Sequence, residues 1–117
     1  MMEIDYSIIY DSAYNILDLR IDDYDYAMTV TLEDGLHIDF DTRGRPAAIE
    51  MINTSRKFSL LARQFDGARL EGKITVTGEE ILLEVRVPQH KRILESDTLN
   101  TYDIPSEVYT FTVDEYD

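Results

Sequence analysis

The sequence contains no cysteine, which excludes disulfides, thiol nucleophiles and thiolate metal sites together. Histidine is almost as scarce: only His37 and His90 occur. Neither belongs to a metal-binding histidine pair, and no serine sits in a nucleophile-elbow context, so a triad or general-base centre has little to be built from. A glycine-rich phosphate loop and a dinucleotide fingerprint are also absent. No apolar run approaches the roughly 18 residues of a membrane span. The opening Met1-Met2-Glu3-Ile4-Asp5 lacks the basic and apolar stretches of a signal peptide, so the expected location is cytoplasmic. Cations are few as well. Eleven Lys and Arg stand against 24 Asp and Glu, for a formal net charge of −13, and His90-Lys91-Arg92 is the only basic run. Phosphate binding rests on clustered cations that release counterions, so direct nucleic-acid binding is disfavoured, and an anionic membrane surface is disfavoured on the same ground. Acidity of this size serves solubility, a basic partner protein or divalent cations.

What the chain does have is alternation. Its 117 residues fit one domain, 1–117, with 44% hydrophobic residues spread along nearly the whole length. The clearest pattern runs from Gly35 to Ile52. Leu36, Ile38 and Phe40 alternate with His37, Asp39 and Asp41, Thr42-Arg43-Gly44-Arg45 makes a turn, and Pro46 opens a returning strand that continues through Ala47–Ile52. Before it, 5–10 and 15–21 read as a hairpin, 22–26 as an acidic loop, and 27–32 as a strand with Met28, Val30 and Leu32 inward. After it, Phe58, Leu61, Ala62 and Phe65 recur at helical spacing, which predicts one amphipathic helix over about 54–66, closed by Gly67. Strands follow at 73–77, 81–87 and 108–113. The stretch 89–106 reads as a loop with at most a short helical turn, and 114–117 as a fraying end. The expected fold is α+β: a mostly antiparallel sheet of about seven strands with that one helix on a face.

Several of these segments carry a resemblance. Tyr10-Asp11 with Asn15-Ile-Leu-Asp-Leu-Arg-Ile21, then Gly35-Leu-His-Ile-Asp-Phe-Asp41, Arg43-Gly44-Arg45 and Ile49-Glu50-Met51-Ile52, with Ser55 and Arg56 after them, resemble a small uncharacterised prokaryotic domain family over residues 6–60. Asn15 stands where that family usually has an acid, and Ala48 where it usually has glycine. The resemblance implies a compact β-rich fold with a following helix and no established activity. In some relatives it also implies a gene neighbourhood suggestive of toxin–antitoxin pairs. It supplies no active-site residue, and residues 68–117 lie outside it as an additional β-rich extension.

The sharpest chemical candidates are carboxylates. Asp39 and Asp41, read as sharing a strand face, and Glu50 on the returning strand form an oxygen-rich set for weak binding of Ca²⁺ or Mg²⁺, the only cofactors the sequence suggests. Arg43, Arg45 and Pro46 depart from an EF-hand loop. Tyr24 and Tyr26 within Asp22, Asp23 and Asp25 form an acidic aromatic loop suited to an Arg-rich protein partner, including the basic cleft of a ribonuclease-like toxin. Three functions follow, in order: an interaction module that self-associates or binds a basic protein, antitoxin-like in the second case; a divalent-cation binder through Asp39, Asp41 and Glu50; and an enzyme of unrecognised class.

Overall fold

In the computed structural model, which describes residues 1–114, the alternating stretches form ten strands in two five-stranded sheets. The fraying expected at the C-terminus falls, beyond Asp114, outside the described residues. The N-sheet contains β2 (Ser7–Asp11), β3 (Ile16–Arg20), β4 (Tyr26–Glu33), β5 (Leu36–Asp41) and β6 (Pro46–Ile52), in the order β2-β3-β6-β5-β4. The C-sheet contains β1 (Met2–Glu3), β7 (Leu70–Val76), β8 (Glu80–Val87), β9 (Arg92–Leu99) and β10 (Glu107–Val113), in the order β1-β10-β7-β8-β9. All pairings are antiparallel except β1 with β10. Pro46, which has no N–H to give to a ladder, occupies the first position of β6 even though β6 is the central strand of its sheet.

The apolar halves of the alternations meet in one core. Leu17, Leu19, Val30, Leu36, Ile38, Ile49 and Met51 come from the N-sheet, and Ile74, Ile81, Leu83, Val85, Tyr109 and Phe111 from the C-sheet. The Tyr6 ring sits edge-on to Phe111 with centroids 5.1 Å apart, and the Tyr6 hydroxyl donates to the Pro46 carbonyl at 2.6 Å. Gly72 lies directly opposite Phe111 in the ladder. A Cβ at that position would fall 2.0 Å from Phe111 Cζ, so the missing side chain of β7 is the space the ring fills.

This architecture corrects the α+β expectation: most of the chain is strand, and the predicted 54–66 helix does not form. Two single turns replace it, α1 (Thr54–Lys57) and α2 (Ala62–Phe65). Ser59 adopts φ 56°, its N–H donates to the Arg56 carbonyl at 3.0 Å, and the Leu60 N–H reaches back to the Ser55 carbonyl at 2.8 Å. That double bond pattern is the Schellman termination, here with serine where glycine is usual. It turns Leu60 inward at 8% exposure and leaves Leu61 at 53%, so helical spacing selects the wrong leucine. Phe58 and Phe65 still stack, 5.6 Å apart, and Gly67 closes α2 with φ 75°. The second correction is β9, whose eight residues run through the middle of the expected 89–106 loop, after the short 3₁₀ turn Pro88–His90.

Candidate functional site

The register of the N-sheet assembles its outer face. Reading across the strands, Ser7, Arg20, Ala48, Asp39 and Thr29 form one row, and Ile9, Asp18, Glu50, His37 and Thr31 the next. Alternate residues share a face, so Asp18, Glu50 and Asp39 all point away from the core. The cation among them is committed: Arg20 Nη2 lies 2.7 Å from Asp18 Oδ2, and Arg20 Nε donates to both oxygens of the same carboxylate. That bonding raises the Arg20 pKa, partly offset by burial, and the fields of Asp18, Tyr24 and Asp39 add to it.

The acidic loop joins this face. Thr29 Oγ1 donates to Asp39 Oδ1 at 2.6 Å and lies 2.8 Å from the Tyr26 hydroxyl. Because the single threonine proton goes to the carboxylate, Tyr26 is the donor to Thr29. Ser7 Oγ contacts Asp22 Oδ1 at 3.5 Å, and the Asp25 carbonyl accepts from the Thr42 N–H at 2.8 Å. Tyr24 is half-buried, whereas Asp22, Asp23, Asp25 and Tyr26 are exposed. Two clusters that look separate in the sequence, the Asp39/Glu50 pair and the 22–26 loop, therefore meet along the row through Arg20 and Thr29.

Asp41 is placed elsewhere. It lies beyond a β-bulge between Asp39 and Phe40, is 3% exposed, and anchors the hairpin turn. Its Oδ1 accepts from the N–H groups of Arg43 and Arg45 at 3.0 and 2.8 Å, and its Oδ2 accepts from Arg45 Nε at 2.7 Å. Burial pushes the Asp41 pKa up, but these N–H groups and the Arg45 guanidinium outweigh it and hold the carboxyl below the ordinary value. Its oxygens are thus spent inside the turn, while Asp39 and Glu50 face outward. Among the described residues no group of three His, Asp or Glu side chains converges as a metal cage would. Beside the turn is a cleft of about 240 Å³ lined by Met28, Phe40, Asp41, Gly44, Tyr102 and Pro105. His37 lies outside this cleft and bonds instead to Thr31 Oγ1, at 3.0 Å from Nδ1.

Sequence reading missed Asn15. It adopts φ 57°, and its Oδ1 accepts from the Tyr10 hydroxyl at 2.7 Å and the Ser55 N–H at 3.0 Å. Its Nδ2 donates to Ser55 Oγ at 2.9 Å, and its carbonyl accepts from the Thr54 N–H. Asn15 therefore ties the β2–β3 turn to the start of α1. The available signal was asparagine's tolerance of left-handed backbone in a turn.

Residues 7–55 match the sequence model of a family described as a protein of unknown function (DUF2283). The matched stretch is less than half of the chain, and it opens on the first residue of β2 and closes just past β6. It is the N-sheet, its acidic outer face and the Asn15–Ser55 tie, which agrees with the resemblance to a small domain of unknown function. No curated protein and no solved structure matches the chain. Among the described residues no helix is long and apolar enough to cross a membrane.

Proposed function

We propose that this protein is a cytoplasmic interaction module whose N-sheet outer face binds a basic protein partner, in the manner of an antitoxin masking a cationic cleft. One observation carries the reading. Asp18, Asp39 and Glu50 on the strands share one outer face with a single guanidinium, Arg20, which Asp18 already occupies, and the loop that bears Asp22, Asp23 and Asp25 joins that face through Asp22 and Tyr26. Tyr24 and Tyr26 add aromatic surface within that field, the residue type enriched at interface centres. Long-range attraction of a cationic partner is what such a one-signed surface does best, and it acts mainly on the association rate.

The test compares the wild-type chain with a variant carrying Asp22→Asn, Asp23→Asn, Asp25→Asn, Asp39→Asn and Glu50→Gln as baits in native lysate. At low salt the wild type is expected to retain one or a few proteins of high isoelectric point in stoichiometric amount. Retention should weaken steeply as salt shortens the Debye length. Equal retention by the neutralised variant, or no basic protein on either bait, would remove the reading.

A further inference from the structure

The sandwich has four edge strands, and three of them are blunted. β1 has two residues and β2 five, while β4, at eight, is interrupted by irregularities between Tyr26 and Met28 and between Thr31 and Glu33. Shortness and bulges are how native sheets keep an edge from recruiting another strand. β9 has neither. Its eight residues pair with β8 in unbroken register from Glu80↔Leu99 to Val87↔Arg92.

The phase of that ladder shows which groups are open. The Asn100 N–H donates to the Glu79 carbonyl at 2.9 Å, so 79 and 100 form a hydrogen-bonded pair. In an antiparallel ladder such pairs alternate, so residues 92, 94, 96 and 98 bond to β8. Ile93, Glu95, Asp97 and Leu99 therefore turn their N–H and C=O groups outward. β9 packs against the edge strand β4 of the other layer, with Cα atoms of the two within 8 Å, but among the described residues no backbone hydrogen bond joins them. The same four residues expose their side chains, Ile93 at 50% and Leu99 at 69%. One strand thus offers free backbone groups and an apolar-acid-acid-apolar row together.

Charge selects the occupant. On the outer face of the C-sheet, Lys73, Glu84 and Glu95 lie in one row, with the two carboxylates directly opposite each other across β8 and β9. Lys73 stands opposite Glu84 on the side away from Glu95, and β9 is the last strand of its sheet, so no described residue of the C-sheet lies opposite Glu95 on its open side. A second copy of this chain fills it badly: self-pairing centred on Glu95, Ser96 or Asp97 sets a carboxylate against a carboxylate, and each copy carries a net charge of −13. We propose that β9 is a docking edge that accepts an extended segment of a basic protein as a sixth strand of the C-sheet. The segment carries apolar, basic, basic and apolar side chains at alternate positions, opposite Leu99, Asp97, Glu95 and Ile93. Backbone pairing supplies the affinity and the alternate side chains the selectivity, as in other strand additions. This surface is separate from the acidic face of the N-sheet and does not depend on it.

The probe is a synthetic peptide with valine, lysine, lysine and valine at alternate positions between threonines, alongside a scrambled isomer of the same composition. The full chain is titrated with each while amide exchange and peptide anisotropy are followed. The patterned peptide is expected to slow exchange at Ile93, Glu95, Asp97 and Leu99 and to bind at least about tenfold tighter than the scrambled one. Asp97→Pro removes an outward N–H without touching the bonds to β8, so it should abolish that binding while the fold is kept. Glu95→Lys with Asp97→Lys should abolish it too and create affinity for the glutamate version of the peptide. Equal binding of the scrambled peptide, or binding insensitive to both variants, would overturn the proposal. So would protection of the same amides by raising the protein concentration alone. Loss of peptide binding only in the neutralised N-sheet variant would assign it to that face and sink the β9 edge.

Discussion

The two sheets are equal in strand number and unequal in almost everything else. The N-sheet is drawn from one continuous stretch of chain, falls inside the matched residues 7–55, and turns a predominantly acidic face to solvent. The C-sheet takes its edge strand β1 from the N-terminus and the rest from beyond residue 69, lies outside the match, and mixes Lys73 and Arg86 with Glu71 and Glu84 on its outer face. Their inner faces are alike in kind, since both are apolar and buried in one core. The segment resembling the family is thus one layer of a two-layer structure, and a layer cannot be stable with its apolar face in water. The matched segment carries its own acidic outer face but borrows its stability.

The strongest break of this comparison is to remove the borrowed layer. A chain ending at Leu60 exposes Leu17, Leu19, Val30, Leu36, Ile38, Ile49 and Met51, all now at 1% exposure or less. Fully burying each such side chain is worth roughly 1.5–3 kcal/mol, so their sum reaches or exceeds the roughly 5–15 kcal/mol that a domain has in hand. The truncated chain is expected to show no cooperative urea transition and to elute as an unfolded or self-associated species. A monomer with a sharp transition would show that the N-sheet is self-sufficient.

A smaller break loosens the join between the layers. Phe111 covers Gly72 within its own sheet and meets Tyr6 of the connection into the other. Phe111→Ala is expected to cost about 3–5 kcal/mol in urea denaturation. Gly72→Ala forces the ring to move and is expected to cost about 1–3 kcal/mol, with partial recovery when combined with Phe111→Leu. Additive losses in that double variant would mean the glycine is not there for the ring.

Such joins are where the sequence was hard to read. Alternation gave the inward residues of β4 and β5 and the presence of β3, β7, β8 and β10, because a half-buried strand must repeat every two residues. Which strands bond to which is a long-range matter, and nothing in 70–76 marks it as belonging to a different sheet from 46–52. β9 was missed for a physical reason: an edge strand needs only half-burial on its inner side, and Leu94, Ser96 and Thr98 provide that without an apolar pattern. The helix was overcalled because a serine in left-handed conformation leaves no mark that periodicity can detect. At the candidate site, Asp39, Glu50, Tyr24 and Tyr26 stood out as residue types, but their convergence depends on cross-strand register. Asp41 looked like its neighbour Asp39 until the bulge between them was known.

Asp41 and Asp39 contrast within a single strand, since only Asp41 is bonded into the turn. The Asp41 carboxyl is depressed in the folded state, so its contribution to stability is present above its ordinary value of 3.8 and is lost as pH falls through the lower folded value. Asp41→Asn is expected to lower stability by about 1–3 kcal/mol at neutral pH, since Arg45 then faces no charge. It should also flatten the acid limb of the urea midpoint against pH below about 4. An acid limb as steep in Asp41→Asn as in the wild type would show that the hairpin turn is not held by the Asp41 charge.

The finest distinction between the sheets is a matched pair of electrostatic conflicts. In the N-sheet Asp18 lies directly opposite Glu50, as Glu84 lies opposite Glu95 in the C-sheet; Arg20 bonds Asp18 in the first pair, and Lys73 and Arg86 lie on the face of the second. Like charges across a ladder are destabilising, by about 0.2–1 kcal/mol for a directly opposed pair. Glu50→Gln and Glu95→Gln are therefore each expected to raise stability by a few tenths of a kcal/mol at low ionic strength, a gain that fades as salt screens the repulsion. Their effects on recognition should diverge. Glu50→Gln should slow association with a basic partner on the N-sheet face and leave strand addition at β9 intact, and Glu95→Gln should do the reverse. A residue whose removal stabilises the fold while weakening one binding event, and only that one, is being kept for the binding. If either substitution lowers stability, the opposed carboxylates are structural after all, and the two outer faces cannot be told apart by what they recognise.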